Sequence, residues 1–379
     1  MNDQNNVVLI VTIISLFISL FLAFFLVTVK TKYKISNYLF AAFLIITAID
    51  ISGPLFEIVS DGPSNLGMLR NNLAFLQIPA FYLYVLSACY SDFKLKLKYI
   101  IHLLPFIIAN IILLPRFYTV DGASKINFII NRQNMIELQF SHILFHLQTV
   151  VYLVAIFMLL RKAKKLYLEN NAGKNVNSYH WLFQFTSVLS FLYLIVLFKN
   201  IFKFSDYLYI SEWIKVVILV VELFIICWYL YKALNYPDLF KNIDSKQKLV
   251  ADIVLEQKSN EPAVNEKEYM EALSKLKQYM AEEMPFLNPS LTIQDVSAAI
   301  DIPVRDLSLL INHKLGQHFY DFVNTYRIEK TMDILKDVSK SKVTILEILY
   351  EVGFNSKSSF NTAFKKHTGY TPTSYRKNL

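Results

Sequence analysis

The first 234 residues are strongly apolar, yet a few side chains inside this region could bind a ligand or move protons. These ionisable residues are Asp50, Glu57, His142, His146 and Glu222. Asp50 and Glu57 are seven residues apart, and the two histidines are four apart, so each pair shares one face of a helix. Carboxylates and imidazoles can hold a polar ligand, coordinate zinc or relay protons. Structural contacts between helices are the alternative that the sequence leaves open.

Seven apolar segments must position these side chains. A helix needs about 20 mostly apolar residues to cross the hydrocarbon of a membrane. The segments that meet this requirement are residues 7–29, 37–60, 68–90, 98–115, 139–160, 180–202 and 211–232. The composition agrees, since 54% of the 379 residues are hydrophobic. We therefore expect an all-α protein in which residues 1–234 form a seven-helix transmembrane bundle surrounded by membrane lipid.

The distribution of lysine and arginine predicts the orientation of these segments. The connections after the first, third and fifth segments hold Lys30, Lys32, Lys34, Lys94, Lys96, Lys98, Arg161, Lys162, Lys164, Lys165 and Lys174. Short connections rich in lysine and arginine lie on the cytoplasmic side of a membrane. We therefore expect a multi-pass protein of the inner, cytoplasmic membrane, with its N-terminus outside and its C-terminus in the cytoplasm.

This orientation also predicts the depth of the ionisable residues. Glu57, His142 and His146 fall in the outer third of the membrane, whereas Asp50 and Glu222 lie near its middle. Such an outward bias predicts a polar pocket for an unknown external ligand. The alternative is that these groups pair with one another and hold the bundle together. The sequence gives no sign that the histidines converge with carboxylates on a metal ion.

Residues 235–267 predict a cytoplasmic linker. Pro237 disfavours helical geometry at the residue before it, which predicts an end to the last span. Residues 242–256 could form one more helix, and the polar run QKSNEPAVNEK reads as a flexible connection. The two cysteines, Cys89 and Cys227, lie in apolar runs, so we expect buried structural thiols and no disulfide framework.

From residue 268 the pattern is that of short soluble helices joined by turns. The first helix is expected over residues 268–283. The next helix is TIQDVSAAI, and Thr292 is its predicted N-cap. A turn follows at residues 301–303, and VRDLSLLINHKL forms the helix after it. The inward face of that helix holds Leu307, Leu310 and Ile311, and the outward face holds Arg305, Leu309 and Asn312. This arrangement predicts a first helix-turn-helix unit.

The pattern repeats after the connecting helix FYDFVNTYRIEKTMDIL. TILEILYEV forms a short helix, Gly353 permits the turn, and Ser356 is a plausible cap for the helix that follows. Its aromatic back consists of Phe360, Ala363 and Phe364, and its opposite face of Ser358, Thr362 and Lys365. A small polar and basic face is typical of a helix that enters the major groove of DNA.

Residues 268–379 resemble the DNA-binding domain of the AraC family of bacterial transcription regulators. The resemblance is carried by LTIQDVSAAIDIPVRDLSLLIN, by the connecting helix and by GFNSKSSFNTAFKKHTGYTP. It implies two helix-turn-helix units in successive major grooves of double-stranded DNA. By this resemblance the base contacts are Arg305, Ser308, Leu309, Lys357, Ser358, Ser359, Asn361 and Thr362. Lys365 and Lys366 suit phosphate contacts.

The sequence departs from the family at Leu309 and Thr362, where many members carry a basic or amide side chain. We therefore expect one domain alone to bind DNA weakly, which favours a homodimer.

Together these features predict a membrane-embedded one-component transcription regulator that is not an enzyme and needs no cofactor. A transporter whose DNA-binding domain reports substrate occupancy is one alternative, and a membrane half that is an inert anchor is another.

The orientation is testable with reporter fusions. A periplasmic reporter joined after Leu379 should be inactive and a cytoplasmic reporter active, because the basic connections place the C-terminus inside. The matched control is the same pair of reporters after Gly62, in a connection without lysine or arginine, where the activities should exchange. A periplasmic reporter that is active after Leu379 would contradict the proposed topology.

Overall fold

The computed structural model describes residues 2–30, 34–90, 93–172, 176–235 and 266–379. These residues form helices joined by turns, and they contain no β-strand. They divide into two compact units. One contains residues 2–160 and 181–235, and the other contains residues 161–180 and 266–379. The predicted all-α fold class is confirmed for this part of the chain.

Among the described residues, ten α-helices precede the C-terminal domain. They are α1 Asn2–Thr28, α2 Lys34–Ile51, α3 Gly53–Val59, α4 Asn65–Asn72, α5 Gln77–Cys89, α6 Leu104–Leu113, α7 Gly122–Ile130, α8 Ile136–Asn170, α9 Val176–Lys203 and α10 Leu208–Asn235. Within the described residues, seven helical stretches are long and apolar enough to cross a membrane: Asn6–Thr28, Lys34–Ile51, Asn65–Cys89, Leu97–Tyr118, Ile136–Asn170, Tyr179–Lys203 and Leu208–Lys232. The count and order match the seven apolar segments of the sequence.

Two of these stretches differ from the expected ones. The segment 37–60 is interrupted, because α2 ends at Ile51 and α3 begins at Gly53, next to a proline. A proline lacks a backbone N–H and its ring clashes with the carbonyl four residues before it, so a break precedes it. The second difference is in α8, which continues to Asn170. The basic residues Arg161, Lys162, Lys164 and Lys165, expected in a connection, are therefore helical.

The unit formed by residues 2–160 and 181–235 has small polar side chains inside and large apolar ones outside. In α1, Thr12 and Ser15 are fully buried, whereas Phe17 and Phe24 are 69% and 66% exposed. Helix α1 packs against α2 and α10. Deeper in the unit, aromatic rings from four helices form a cluster: Phe40, Tyr84, Phe185 and Tyr229. The expectation of two buried thiols is wrong for Cys227, which is exposed, whereas Cys89 is buried.

Seven helices form the C-terminal domain. They are α11 Glu266–Glu282, α12 Ile293–Ile300, α13 Val304–Leu309, α14 Phe319–Lys336, α15 Ile345–Glu351, α16 Lys357–Thr368 and α17 Pro372–Lys377. A π-helical turn, Leu310–Lys314, extends α13. The predicted helix over residues 242–256 lies outside the described residues.

Local hydrogen bonds begin the helices of both helix-turn-helix units. Thr292 and Asp295 form a reciprocal capping box at the start of α12, and Thr344 and Glu347 form another at α15. Hydrogen bonds from Thr344 hold the pKa of Glu347 below its usual range. Ser356 caps α16 through a bond from the N–H of residue 359. The predicted caps at Thr292 and Ser356 are confirmed.

Each unit of the domain has its own apolar core. The first core includes Leu276, Val296, Leu307 and Ile311, from α11, α12, α13 and the π turn. The second core includes Ile328, Ile348, Leu349, Phe360 and Phe364, from α14, α15 and α16. Helix α14 contributes to both, because Phe319, Phe322 and Val323 belong to the first. The connecting helix therefore holds the two units together through apolar contacts on both sides.

The turn before α16 requires glycine, and this requirement gives a stability prediction. Gly353 has φ +87°, and a Cβ there would lie 2.5 Å from the oxygen of Phe286 and 2.7 Å from that of Leu287. Gly353→Ala should therefore destabilise the C-terminal domain by more than the roughly 1–2 kcal/mol that the left-handed conformation costs. The measurement is protease susceptibility of the purified full-length protein across a urea series.

Gly369→Ala is the matched control. Gly369 has φ +79° with no atom within 4 Å of an added Cβ, so this change adds only the conformational cost. Equal losses in the two variants would show that the approach of residues 286–287 does not limit the turn.

Candidate functional site

Helix α16 presents the most open of the predicted DNA-contacting surfaces. Its apolar back is fully buried at Phe360 and Phe364, with the ring of Phe360 at 5.2 Å from that of Phe354. On the other side Lys357, Ser358 and Thr362 are exposed. The core contact fixes the rotation of the helix, so these three side chains point away from the protein. A helix in this position can insert its first two turns into a major groove.

The remaining predicted residues of α16 lie at the edges of this surface. Ser359 and Asn361 are half-buried. Burial raises the pKa of Tyr320 of α14. Helix α16 packs against the connecting helix on this side.

The two lysines at the end of α16 have different surroundings. Lys365 is exposed. Lys366 forms an ion pair with Asp321 of α14, with 2.7 Å between Nζ and Oδ1. The side chain of Lys366 is still 69% exposed, so the pair lies at the surface and stabilises the fold only weakly. Lys365 is therefore the better placed of the two for a phosphate, whereas Lys366 must leave a carboxylate to reach one.

The predicted outward face of the first unit is wrong in part. Arg305 is exposed as expected. Leu309 and Ser308, however, are only 2% and 3% exposed, and Asn312 is half-buried. Leu307, Leu310 and Ile311 occupy the positions that Phe360, Ala363 and Phe364 hold in α16. Leu309 is thus at the position of Thr362, and the two differ sharply in exposure.

A short stretch outside the helix-turn-helix units lies against the first unit. We call residues 169–172 the covering segment; it comprises the end of α8 and the two residues that follow. Asn312 Nδ2 donates to the backbone oxygen of Glu169 at 3.2 Å. The N–H of Ala172 donates to the oxygen of Leu291 at 3.1 Å, and Asn171 faces Thr292 in an antiparallel bridge. These bonds place the covering segment beside α12 and α13.

Arg327 of α14 joins this contact to the interior of the domain. It is 1% exposed and donates to the oxygens of Phe286 at 2.7 Å, Asn288 at 2.8 Å and Ala172 at 2.8 Å. Burial lowers its pKa to about 10, so the guanidinium is charged at neutral pH. The sequence reasoning missed Arg327. Its only signal was an arginine between apolar residues in the connecting helix.

The predicted pocket residues converge only in part. A cavity of about 500 Å³ lies within the apolar helical half of the chain, and Asp50, Glu57, His142 and Glu222 line it. His146 is not part of the lining, and its Nε2 is 3.0 Å from Nδ2 of Asn200. The lining also includes charged residues that the sequence reasoning had not assigned to a pocket: Arg70, Arg132, Lys199, Lys203, Glu212 and Lys215. Their signal was their position near the outer ends of apolar segments.

Charged and hydrogen-bonded groups surround one part of this cavity. Lys215 Nζ is 3.6 Å from Glu57 Oε1. Lys199 interacts electrostatically with both Asp50 and Glu222. Tyr193 donates to Gln77 Oε1 at 2.9 Å, and the Gln77 amide donates to Thr47 at 2.7 Å. The other end is aromatic, with Phe40, Phe43, Phe185 and Tyr229 in the lining.

No group of three or more His, Cys, Asp or Glu side chains that could hold a metal ion occurs in the part of the chain that the structure describes. The side chains that line the cavity can offer charge and hydrogen bonds to a polar ligand. Its aromatic residues can contact an apolar group.

Comparisons with known proteins identify the C-terminal domain. A family model described as a helix-turn-helix domain matches residues 296–378. A transcriptional regulatory protein of Bacillus subtilis, YesN, is 33% identical over 110 residues, which are 28% of this chain and 28% of that protein. The HTH-type transcriptional regulator YdeC of the same organism is 32% identical over 87 residues, or 23% of this chain and 29% of that protein.

The melibiose operon regulatory protein of Escherichia coli is 28% identical over 103 residues, or 26% of this chain and 33% of that protein. The chain thus spans about a third or less of the length of these relatives. No solved structure matches the chain. The resemblance is confirmed: the chain carries an AraC-type helix-turn-helix domain at its C-terminus.

The geometry of α16 predicts different effects for its two kinds of residue. In the full-length protein in lipid nanodiscs, Lys365→Ala should weaken binding to all duplexes and reduce the salt slope by about 1, because one phosphate contact is lost. Thr362→Ala should instead change the preferred sequence, by about 1–3 kcal/mol at one base pair. The measurement is a set of binding isotherms on several duplexes at several salt concentrations.

Lys275→Ala is the matched control, because Lys275 is exposed on α11, away from α16. It should leave both the salt slope and the sequence preference unchanged. A shift of sequence preference by Lys365→Ala with no loss of affinity would contradict the facing of α16.

Proposed function

We propose that this protein is a membrane-embedded transcription regulator that binds double-stranded DNA through its AraC-type domain under the control of a ligand in the seven-helix half. The observation that carries this proposal is the union, in one chain, of that domain with seven helices long and apolar enough to span a membrane. The names of the relatives describe transcription regulators, which supports a non-enzymatic role.

The exposure pattern of the apolar helical half supports contact with lipid. Phe17, Phe21 and Phe24 of α1 are all more than half exposed, whereas Thr12 and Ser19 are fully buried. In water this arrangement would be unfavourable, because it exposes large apolar surface and buries hydroxyls. In a bilayer it is favourable, because small polar residues pack at helix interfaces and apolar ones face the lipid.

The charge of the DNA-binding half agrees with a protein that reads bases as well as phosphates. Residues 235–379 have equal numbers of acidic and basic residues, but no acid follows Glu351. The basic residues of the last two helices are Lys357, Lys365, Lys366, Arg376 and Lys377. Positive charge is thus concentrated where α16 meets DNA, and phosphate contacts there would fix the register in which Ser358 and Thr362 read bases.

A homodimer fits this arrangement. One exposed recognition helix per chain gives a small contact with DNA, and a second copy would provide another. Linking two weak binders can raise the overall affinity by about 10² to 10⁴ without a new contact.

The cavity supports the sensing part of the proposal. Its charged and aromatic ends fit a small molecule that has a charged group and an apolar body. A ligand shifts a protein between two states only if it binds them differently. Glu222 lies in α10, the last described helix before the DNA-binding half, and interacts electrostatically with Asp50 of α2 and Lys199 of α9. Neutralising it would change the balance of charge among three helices.

The same cavity also favours a second candidate, a transporter whose DNA-binding domain reports occupancy. A transport cycle needs a polar site within the bundle, and this cavity provides one. Substrate flux in proteoliposomes would support this candidate. Regulation that survives replacement of the membrane half by an unrelated span would support the inert anchor.

Sensing is testable with a single charge change. In a strain that carries Glu222→Gln, the transcripts that change on deletion of the gene should stay at one fixed level across growth conditions. The reason is that glutamine cannot ionise, so the variant cannot gain or lose a proton between ligand-bound and empty states. Transcript profiling measures this outcome, with immunoblots of the membrane fraction to show an unchanged protein level.

Glu137→Gln is the matched control. Glu137 belongs to the same half and pairs with Arg116 at 3.1 Å, outside the cavity lining, so regulation should be normal. If Glu222→Gln, Asp50→Asn and the double change of His142 and His146 all leave regulation normal, the sensing proposal fails and the inert anchor takes its place.

A further inference from the structure

The first helix-turn-helix unit is closed where the second is open. Leu309 is 2% exposed, whereas Thr362, at the matching position of α16, is exposed. Ser308 is 3% exposed, whereas Asn361, at the matching position of the second helix-turn-helix unit, is only half-buried. A side chain must be exposed to reach a base edge in the major groove. In this conformation the first unit therefore offers DNA little beyond Arg305.

The polar groups on this face are already occupied. Asn312 Nδ2 lies 3.2 Å from the hydroxyl of Ser308 and 3.2 Å from the backbone oxygen of Glu169. The same amide also donates to the backbone oxygen of Ser308 at 3.1 Å. One amide thus connects the recognition helix to the end of α8, and the Ser308 hydroxyl is engaged within the protein.

The covering segment makes further contacts at its far end. The backbone of Ala172 donates to Leu291 and accepts from Arg327, and its side chain is 1% exposed within the core of the first unit. Asn171 pairs with Thr292 in the antiparallel bridge. Glu169 and Asn170 are 2% and 4% exposed, so these residues of the segment are also buried. The hydrogen bonds of the segment to Leu291, Asn312 and Arg327 involve groups that water can satisfy once the segment leaves.

We propose that the covering segment is an intramolecular partner of the first recognition helix that competes with DNA for the same surface. This proposal rests on the proposed DNA-binding function. While the segment is bound, the protein reads DNA with the second unit alone. When it leaves, Ser308, Leu309 and Asn312 become accessible and the first unit reads the adjacent major groove.

The chain itself provides a route for control of this contact. Helix α8 is a single helix from Ile136 to Asn170, so the apolar stretch proposed as the fifth span and the residue that contacts Asn312 belong to one element. His142, which lines the cavity, lies on the same helix. A rotation or shift of α8 on ligand binding would act directly on the covering segment, without passing through residues 236–265.

Opening the contact is the first arm of the test. Ala172→Glu places a charged side chain in a fully buried site and should release the covering segment. The added negative charge opposes non-specific DNA binding, so any gain must come from release. The full-length variant in lipid nanodiscs is used to select a duplex from a random library, and the wild-type protein is then compared with it on that duplex.

The variant should bind the selected duplex at least about tenfold more tightly than the wild type, because a second tethered reader is added. Its hydroxyl-radical footprint should extend by about one helical turn, or roughly 10 base pairs. Ala298→Glu, the same substitution at an exposed position of α12, should give neither effect.

Locking the contact is the second arm, and it remains informative if Ala172→Glu misfolds. Residues opposite each other in an antiparallel bridge have Cα atoms about 4.5–5.5 Å apart, which suits a disulfide. The pair Asn171→Cys and Thr292→Cys is made in full-length protein that carries Cys227→Ser, because Cys227 is exposed. Oxidation should form the disulfide, and the oxidised protein should keep the short footprint and the weak binding of the closed state on the selected duplex.

The two single-cysteine variants control for the loss of each native side chain, including the cap at Thr292. The proposal is overturned if the disulfide does not form in protein that binds DNA. It is also overturned if the oxidised protein protects two adjacent major grooves, or if it binds the selected duplex as tightly as Ala172→Glu does. Failure of every full-length form to select a duplex would instead overturn the proposed function on which the competition rests.

Discussion

The buried guanidinium of Arg327 is the interaction on which the C-terminal domain depends. A charged group taken out of water is costly unless its donors find acceptors. Here the acceptors are the backbone oxygens of Phe286, Asn288 and Ala172, together with Oδ1 of Asn324. Hydrogen bonds to charged groups contribute about 1.5–3 kcal/mol each. Arg327 thereby ties the connecting helix, the turn before α12 and the covering segment to one point.

The same requirement to satisfy buried polar groups organises the seven-helix half. Thr47, Gln77 and Tyr193 come from three different helices and form one chain of hydrogen bonds beside the cavity. Charged residues collect around that cavity, and large apolar side chains cover the outside. In a lipid environment polar groups have no partner outside the bundle, so they gather inside it. The polar groups that line the cavity belong to this inward arrangement, and a small ligand could contact them.

Much of the fold could be predicted from the sequence because its signals are local. The apolar lengths predict seven helices, and the caps at Thr292 and Ser356 follow from side chains that bond to backbone three residues away. Asp50 and Glu222 could also be predicted as cavity residues, because each is a carboxyl side chain within an apolar run. The convergence of Lys199 with both carboxylates was not, because it depends on how α2, α9 and α10 pack.

The sequence by itself determined that an apolar seven-helix half precedes an AraC-type domain, and that α16 has an aromatic back and a polar front. Periodicity and composition are sufficient for this, because each helix carries its own pattern. Only the tertiary structure decided that Leu309 and Ser308 are buried while Thr362 is exposed. Asn312 is about 140 residues from its partner Glu169, and no local pattern encodes a contact made across such a separation. The exposure of a recognition helix is set by what packs on it, which the helix's own sequence does not contain.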